Sequence, residues 1–329
     1  MRRFPALMLA LALIPANFLR GPGPPPYRTP ELAIIPLQLP SLAEQTRHLG
    51  AFELAGTWRM NSRTAGFGGY SALVALGDGR LAAFSDRGGM LRFAPPGAKR
   101  APPEFRTLVW RDGRARFGAD IEAAAHDAPS GRTWLAVEGL NELSRHDRDF
   151  QALAKLRPRE MRDWGSNSGP EAMTRLTDGR FVLLREGFTG WFEDRRHRGL
   201  IYPADPLDGA KPRRFVFDGP ARFSPTDMAQ LPDGRVLILM RRLVWPLPIR
   251  FTCQIAIADP AAIRPGGVWR AREVARLSST LGVDNFEGMA IEPATDGKVA
   301  VWLISDQNGA ITQRTLLWKL TVDPAKLPG

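Results

Sequence analysis

The sequence predicts an all-β chain, a β-propeller of five four-stranded blades whose ring is closed by strands from both ends of the domain. Three observations carry this expectation. A unit of two short apolar strands around an Asp-Gly or Ser-Gly turn occurs five times. The acidic or polar residues that open the units lie 51, 49, 56 and 60 residues apart, which leaves room for two further strands after each hairpin. The 32 Gly, 29 Pro and nine Trp favour many short strands joined by turns over long helices. A sixth blade follows if residues 31–66 hide a degenerate unit, and a β-sandwich is the competing all-β reading.

The chain begins with a cationic stretch, Met1-Arg2-Arg3, and an apolar run from Phe4 to Ala16. That pattern reads as an export signal or an uncleaved anchor over residues 1–20, so a periplasmic or secreted location is expected. Residues 21–48, opening with "GPGPPPYRTP", read as a Pro-rich extended spacer. The propeller is expected over 49–323 with a short tail at 324–329. No other stretch is long and apolar enough to span a membrane. Cys253 is the only cysteine, which excludes an internal disulfide and a cysteine-based zinc site. Net charge is +11, or +8 without Arg2, Arg3 and Arg20. The basic residues fall in short clusters that read as solvated surface, and no nucleic-acid motif accompanies them. A monomer acting on a small anionic or ester molecule is the expected form.

The hairpins are "GGYSALVALGDGRLAAFSDRG" (68–88), "GADIEAAAHDAPSGRTWLAVEG" (118–139), "NSGPEAMTRLTDGRFVLLREG" (167–187), "FSPTDMAQLPDGRVLILMRR" (223–242) and "DNFEGMAIEPATDGKVAVWLISDQN" (284–308). Asp-Gly suits a tight hairpin because Gly accepts positive φ without a Cβ clash. "GLIYP" and "RRFVF" supply the outer strands of the third unit, "FTCQIAIAD" and "VWRAREVA" those of the fourth. After the fifth hairpin only "RTLLWKLTVD" remains, so "AFELAGTWRM" (51–60) is expected to complete that blade and close the ring.

In such a ring the first strand of each blade lines the central channel. Ser71, Glu122, Glu171, Asp227 and Glu287 are then expected to converge at one mouth. The second strands return to the same mouth with Asp86, Arg87, Glu138, Arg185, Glu186, Arg241, Arg242 and Asp306. Facing carboxylates resist ionisation together, so protons or a cation must neutralise them. Oxygen donors of this kind suit Ca²⁺ or Mg²⁺ over zinc. Glu122, Glu171, Asp227 and Glu287 are the candidate metal ligands. Arg87, Arg185 and Arg241 are candidates for an anionic substrate group. Glu186 and Asp306 are candidates for positioning an attacking water. The competing reading gives the same acids a structural task, hydrogen-bonding loop backbone or pairing with the arginines to lock the blades.

Other chemistries lack their motifs. There is no G-x-S-x-G elbow, H-E-x-x-H, Walker A or G-x-G-x-x-G sequence. His126 and His146 have no ligand-like spacing and read as ordinary loop residues.

The stretches "SDRGG", "DIEAAAHD", "SGPEAM", "SPTDMAQLPDGRVLIL" and "DNFEGMAIEP" resemble the phytase-like propeller family, described by an esterase-like activity of phytase. The resemblance covers about residues 50–323. It implies an exported bacterial propeller that hydrolyses a phosphate or carboxylic ester with calcium, and it marks Asp86, Arg87, Glu122, Glu171, Asp227 and Glu287 as candidates. The lysine-rich phosphate sites typical of calcium-dependent propeller phytases have no counterpart here, so arginine would carry the anion contacts. The functional expectation is a metal-assisted ester hydrolase at the axial mouth. The alternatives are a non-catalytic ligand- or protein-binding propeller of the cell envelope and a lactonase-like calcium-dependent hydrolase.

Overall fold

The computed structural model describes residues 30–108, 119–165, 168–188, 196–244, 250–307 and 313–329. The segment expected as a signal, and the first part of the expected spacer, lie outside the described residues. From residue 31 onward the chain is not the extended spacer the prolines suggest. It forms β1 (Ala33–Pro36) and a short helix α1 (Leu42–Leu49), then β2 (Glu53–Asn61). Ser41 caps α1 by accepting the Glu44 N–H, and the helix packs on the fourth blade through buried Leu49.

The first blade is β3 (Tyr70–Ala75), β4 (Leu81–Ser85), β5 (Gly89–Phe93) and β6 (Glu104–Thr107). The second is β7 (Ile121–Asp127), β8 (Arg132–Val137), β9 (Glu142–His146) and β10 (Ala152–Leu156). The third contains β11 (Pro170–Arg175), β12 (Phe181–Phe188), β13 (His197–Tyr202) and β14 (Arg213–Asp218). The fourth follows with β15 (Ser224–Gln230), β16 (Val236–Val244) and β17 (Arg250–Ala258). Its expected outer strand divides. β18 (Val268–Arg270) crosses to pair in parallel with β14 of the third blade, and β19 (Arg272–Leu277) completes the fourth. The fifth blade is β20 (Asn285–Pro293), β21 (Val299–Asp306) and β22 (Leu316–Val322), joined by β2 and edged by β1.

The count is therefore five blades, with ring closure through β2 against β22 as the unpaired apolar run near the start of the domain requires. Closure leaves no long free sheet edge at the seam. Three hairpins share one device: Asp78, Asp178 and Asp233 each accept the backbone N–H two residues on and pair with that residue's guanidinium, Arg80, Arg180 or Arg235. Gly79 and Gly179 take φ of 80° and 89° there.

The apolar core is five separate inter-blade layers. Leu135 shares a layer with Phe84, Leu183 with Trp134, Ile238 with Val182, Leu303 with Leu239, and Leu73 with Ile304. Each blade is thus buried on both faces, which explains why most strands are almost continuously apolar. It also leaves the axis as the one place where polar side chains from all five blades meet.

Candidate functional site

Every inner strand carries a β-bulge at the same height. In the five inner hairpin pairings one residue is skipped: Ser71, Glu122, Glu171, Thr226 and Glu287. A bulge adds one residue opposite a single partner and re-aims its side chain. These five residues are the inner ring. One step beyond it the partner strands carry Asp86, Glu138, Glu186, Arg241 and Asp306, which form a second ring at the same mouth.

This register corrects the sequence expectation at one position. The fourth member of the inner ring is Thr226, and Asp227 is displaced by one residue. Asp227 is 1% exposed. Its Oδ1 accepts the Met228 N–H at 2.8 Å and its Oδ2 the Met289 N–H of the fifth blade at 2.7 Å. Burial pushes its pKa well above the usual carboxylate range, against the opposing pull of the amides of Met289, Met228 and Leu73. The bond to Met289 joins the fourth blade to the fifth, and the Leu73 amide of the first blade lies close enough to draw the pKa down. Gly288 holds the corresponding place in the fifth blade, where a Cβ would lie 2.9 Å from the backbone of Ala72 and Leu73. Asp227 lies outside the converging metal-like groups and does the work foreseen for a structural acid.

Among the described residues two groups of carboxylates have donor oxygens within 4.8 Å of one another: Asp120, Glu122 and Glu138, and Glu138, Glu171 and Glu186. Glu138 is common to both. It also accepts the Gly169 N–H at 2.7 Å, joining the second blade to the third. Burial raises the Glu138 pKa to about 7, with the charges of Asp120 and Glu186 adding to it against the Gly169 amide. Burial, and then the facing charge of Glu171, drives the Glu122 pKa well up. Glu171 is raised likewise by burial and then by Glu186. Asp86 follows in the same direction, chiefly through burial.

Against these acids stands Arg241. Its Nη2 donates to Glu186 Oε1 at 3.2 Å, its Nη1 donates to Asn285 Oδ1 at 3.2 Å, and it forms an ion pair with Glu287. Asn285 in turn donates from Nδ2 to Glu287 Oε1 at 2.6 Å. Burial alone would lower the Arg241 pKa, but the charges of Glu186, Glu171 and Glu122 outweigh it and hold the guanidinium protonated. Arg241 is thus the internal counter-ion of the acids. Glu287, expected as a metal ligand, is committed to Arg241 and Asn285.

The other expected residues separate. Arg185 turns away from the axis: its Nε donates to the carbonyls of Trp164 and Ser168 and its Nη2 to Ser168 Oγ, bracing the loop before β11. Arg87 lies at the rim, half exposed, 3.3 Å from Asp86. Glu186 sits among the acids and remains partly exposed. Asp306 is in the second ring, 2% exposed. Asp120 was not anticipated as a ligand, and Glu138 was placed only at the rim. The matching Pro170-Glu171 and Pro225-Thr226 pairs were the signal that would have aligned the bulges. His126 lies at the other end of β7, with Nδ1 2.9 Å from Thr133 Oγ1, and His146 is buried beside Ser144.

The donor set fits a hard divalent cation. It consists of oxygens alone, it converges, and several carboxylates face one guanidinium whose charge cannot balance them all. Among the described residues no helix is long and apolar enough to cross a membrane.

A search of the curated proteins found no match. Among solved structures, the glutaminyl cyclase of Myxococcus xanthus is similar over 82% of this chain and 96% of its own, at 13% identity and a TM-score of 0.48. A chain of a nidogen/laminin complex is similar over 89% of this chain and 99% of its own, at 10% identity and a TM-score of 0.44. The match that carries further is to a family model spanning residues 65–309, from the first inner strand's approach to the end of the last hairpin, and by it the chain belongs to the phytase-like family described as "Esterase-like activity of phytase".

Proposed function

We propose that this propeller is an exported, metal-assisted hydrolase of a phosphate or carboxylic ester, with its site at the acidic mouth of the axial channel. The observation that carries the reading is the pair of carboxylate groups sharing Glu138. Asp120, Glu122, Glu138 and Glu171 would hold a divalent cation such as Ca²⁺. The cation, when bound, supplies Lewis-acid polarisation of the ester oxygen. Arg241 pairs with Glu186 and Glu287 and holds them in place. Glu186, partly exposed beside Arg241, would orient the attacking water and accept its proton. Arg87, half exposed at the rim beside Asp86, would meet an anionic group of the substrate.

The Arg241–Glu287–Asn285 network favours a second reading, a non-catalytic propeller that binds a ligand on this face, because the acids are already partly neutralised from within. The deciding experiment is hydrolysis of para-nitrophenyl phosphate and para-nitrophenyl butyrate by the purified chain, with calcium and after chelation. The hydrolase reading expects calcium-dependent turnover on one of them that falls about 100-fold or more in Glu171→Gln. Calcium binding without turnover on either would favour the binding reading.

A further inference from the structure

The third and fourth blades part at the end of the molecule that carries the axial acids, leaving a crevice of about 450 Å³. Arg241 and Arg242 are consecutive on β16, and alternation along a strand sends them to opposite faces. The first meets Asn285 of the fifth blade, and the second turns into the crevice.

The guanidinium of Arg242 lies 5.1 Å from the centre of the Phe223 ring, which forms one wall. Such stacking fixes the plane of the guanidinium while leaving its N–H edge free. Among the described residues Arg242 makes no ion pair. The acid in the wall, Glu273, is matched by Arg276 through two hydrogen bonds of 3.1 and 2.9 Å. The lining therefore carries one net positive charge, and Arg242 holds it.

Beside Arg242 on the same sheet stands Gln254, on β17, the strand whose Thr252 pairs directly with Arg242. It is 3% exposed, and its Oε1 has no hydrogen-bond partner. A buried amide oxygen in that state requires a donor from whatever occupies the space. Thr252, two residues earlier on the same face, donates to the Leu277 carbonyl at 3.2 Å and keeps its lone pairs for a further donor.

We propose that this crevice is a binding site for a small organic oxyanion, a carboxylate or phosphate ester that also carries a hydroxyl. Arg242 grips the anionic group in the plane that Phe223 sets. Gln254 and Thr252 accept from the hydroxyl. The site stands on different residues from the axial acids and needs no metal.

The test is calorimetric titration of the full chain, freed of metal on a chelating resin, with glycerol 2-phosphate and with inorganic phosphate. Glycerol 2-phosphate should bind, and Arg242→Ala should weaken it by about tenfold or more. Arg242→Lys should retain part of the affinity, which separates loss of charge from loss of fold. Gln254→Leu should weaken glycerol 2-phosphate while leaving inorganic phosphate little changed. The absence of binding, binding indifferent to Arg242→Ala, or an equal loss in Glu171→Gln would each overturn the proposal. The last result would assign the anion to the axial mouth.

Discussion

The Oδ2 of Asp227, on the inner strand of the fourth blade, accepts the Met289 N–H of the fifth at 2.7 Å, while its Oδ1 takes the Met228 N–H. A carboxylate used this way is a clasp between blades, because each amide it satisfies would otherwise be buried without a partner. Asn in its place offers one carbonyl oxygen and turns an N–H₂ towards an N–H. Asp227→Asn should therefore destabilise the chain by about 2–3 kcal/mol. Chemical denaturation checks the loss, and calcium titration of the folded variant should show affinity close to that of the parent.

Arg241 makes the opposite prediction. Its charge sits among Glu186, Glu287, Glu171 and Glu122, so Arg241→Gln leaves buried acids without their counter-ion. Without calcium the variant should lose about 3–5 kcal/mol of stability. Added calcium should return a substantial part of it, since a cation held by the neighbouring acids relieves the same repulsion. Unfolding curves with and without calcium measure both effects. A loss that calcium leaves unchanged would separate Arg241 from the proposed cation site.

The raised pKa of Glu138 gives stability a pH dependence of definite sign. Folding shifts this acid from 4.5 to about 7, so the folded chain binds its proton more tightly than the unfolded chain. The contribution is retained below pH 4.5, declines as pH rises to about 7, and is flat above. The decline amounts to about 3 kcal/mol for a shift of this size. Glu122 and Glu171, raised for the same reasons, act in the same direction. Melting temperature followed from pH 4.5 to 7.5 without metal should fall, and Glu138→Gln should flatten part of that fall.

Cation binding should run the other way with pH. Carboxylates must be ionised to bind, and Glu138 holds its proton up to about pH 7. Calcium affinity should rise between pH 5.5 and 8, with proton release detectable when the same titration is repeated in buffers of different ionisation enthalpy. Affinity independent of pH would remove Glu138 from the ligand set.

Much of the architecture was legible because it rests on local chemistry repeated five times. The Asp-Gly turns mark the hairpins, and the spacing between openers measures a blade. The leftover apolar run at 51–60 had nowhere to pair except across the seam, where β2 meets β22. The acidic mouth followed from the same count, since a hairpin brings both of its ends to one side. Less legible was the stretch from 31 to 48, where prolines suggested an extended spacer and the chain instead adds β1 and α1 to the ring. The prolines fix local backbone, but the helix and edge strand depend on surfaces that the finished blades provide.

The sequence by itself determined the fold, the number of blades and the end of the channel where the acids gather. Turn chemistry and alternating apolar strands depend on neighbours in the chain. The tertiary structure alone decided which acids face one another. A one-residue bulge in every inner strand selects Thr226 over Asp227 for the ring, turns Asp227 into a clasp for backbone amides, and brings Glu138 between Glu122 and Glu171. A bulge is a fact of register between two strands, and a shift of one residue carries a side chain from one face to the other. The sequence "SPTDM" offers a polar residue at either step, so only the pairing of β15 with β16 could choose between them.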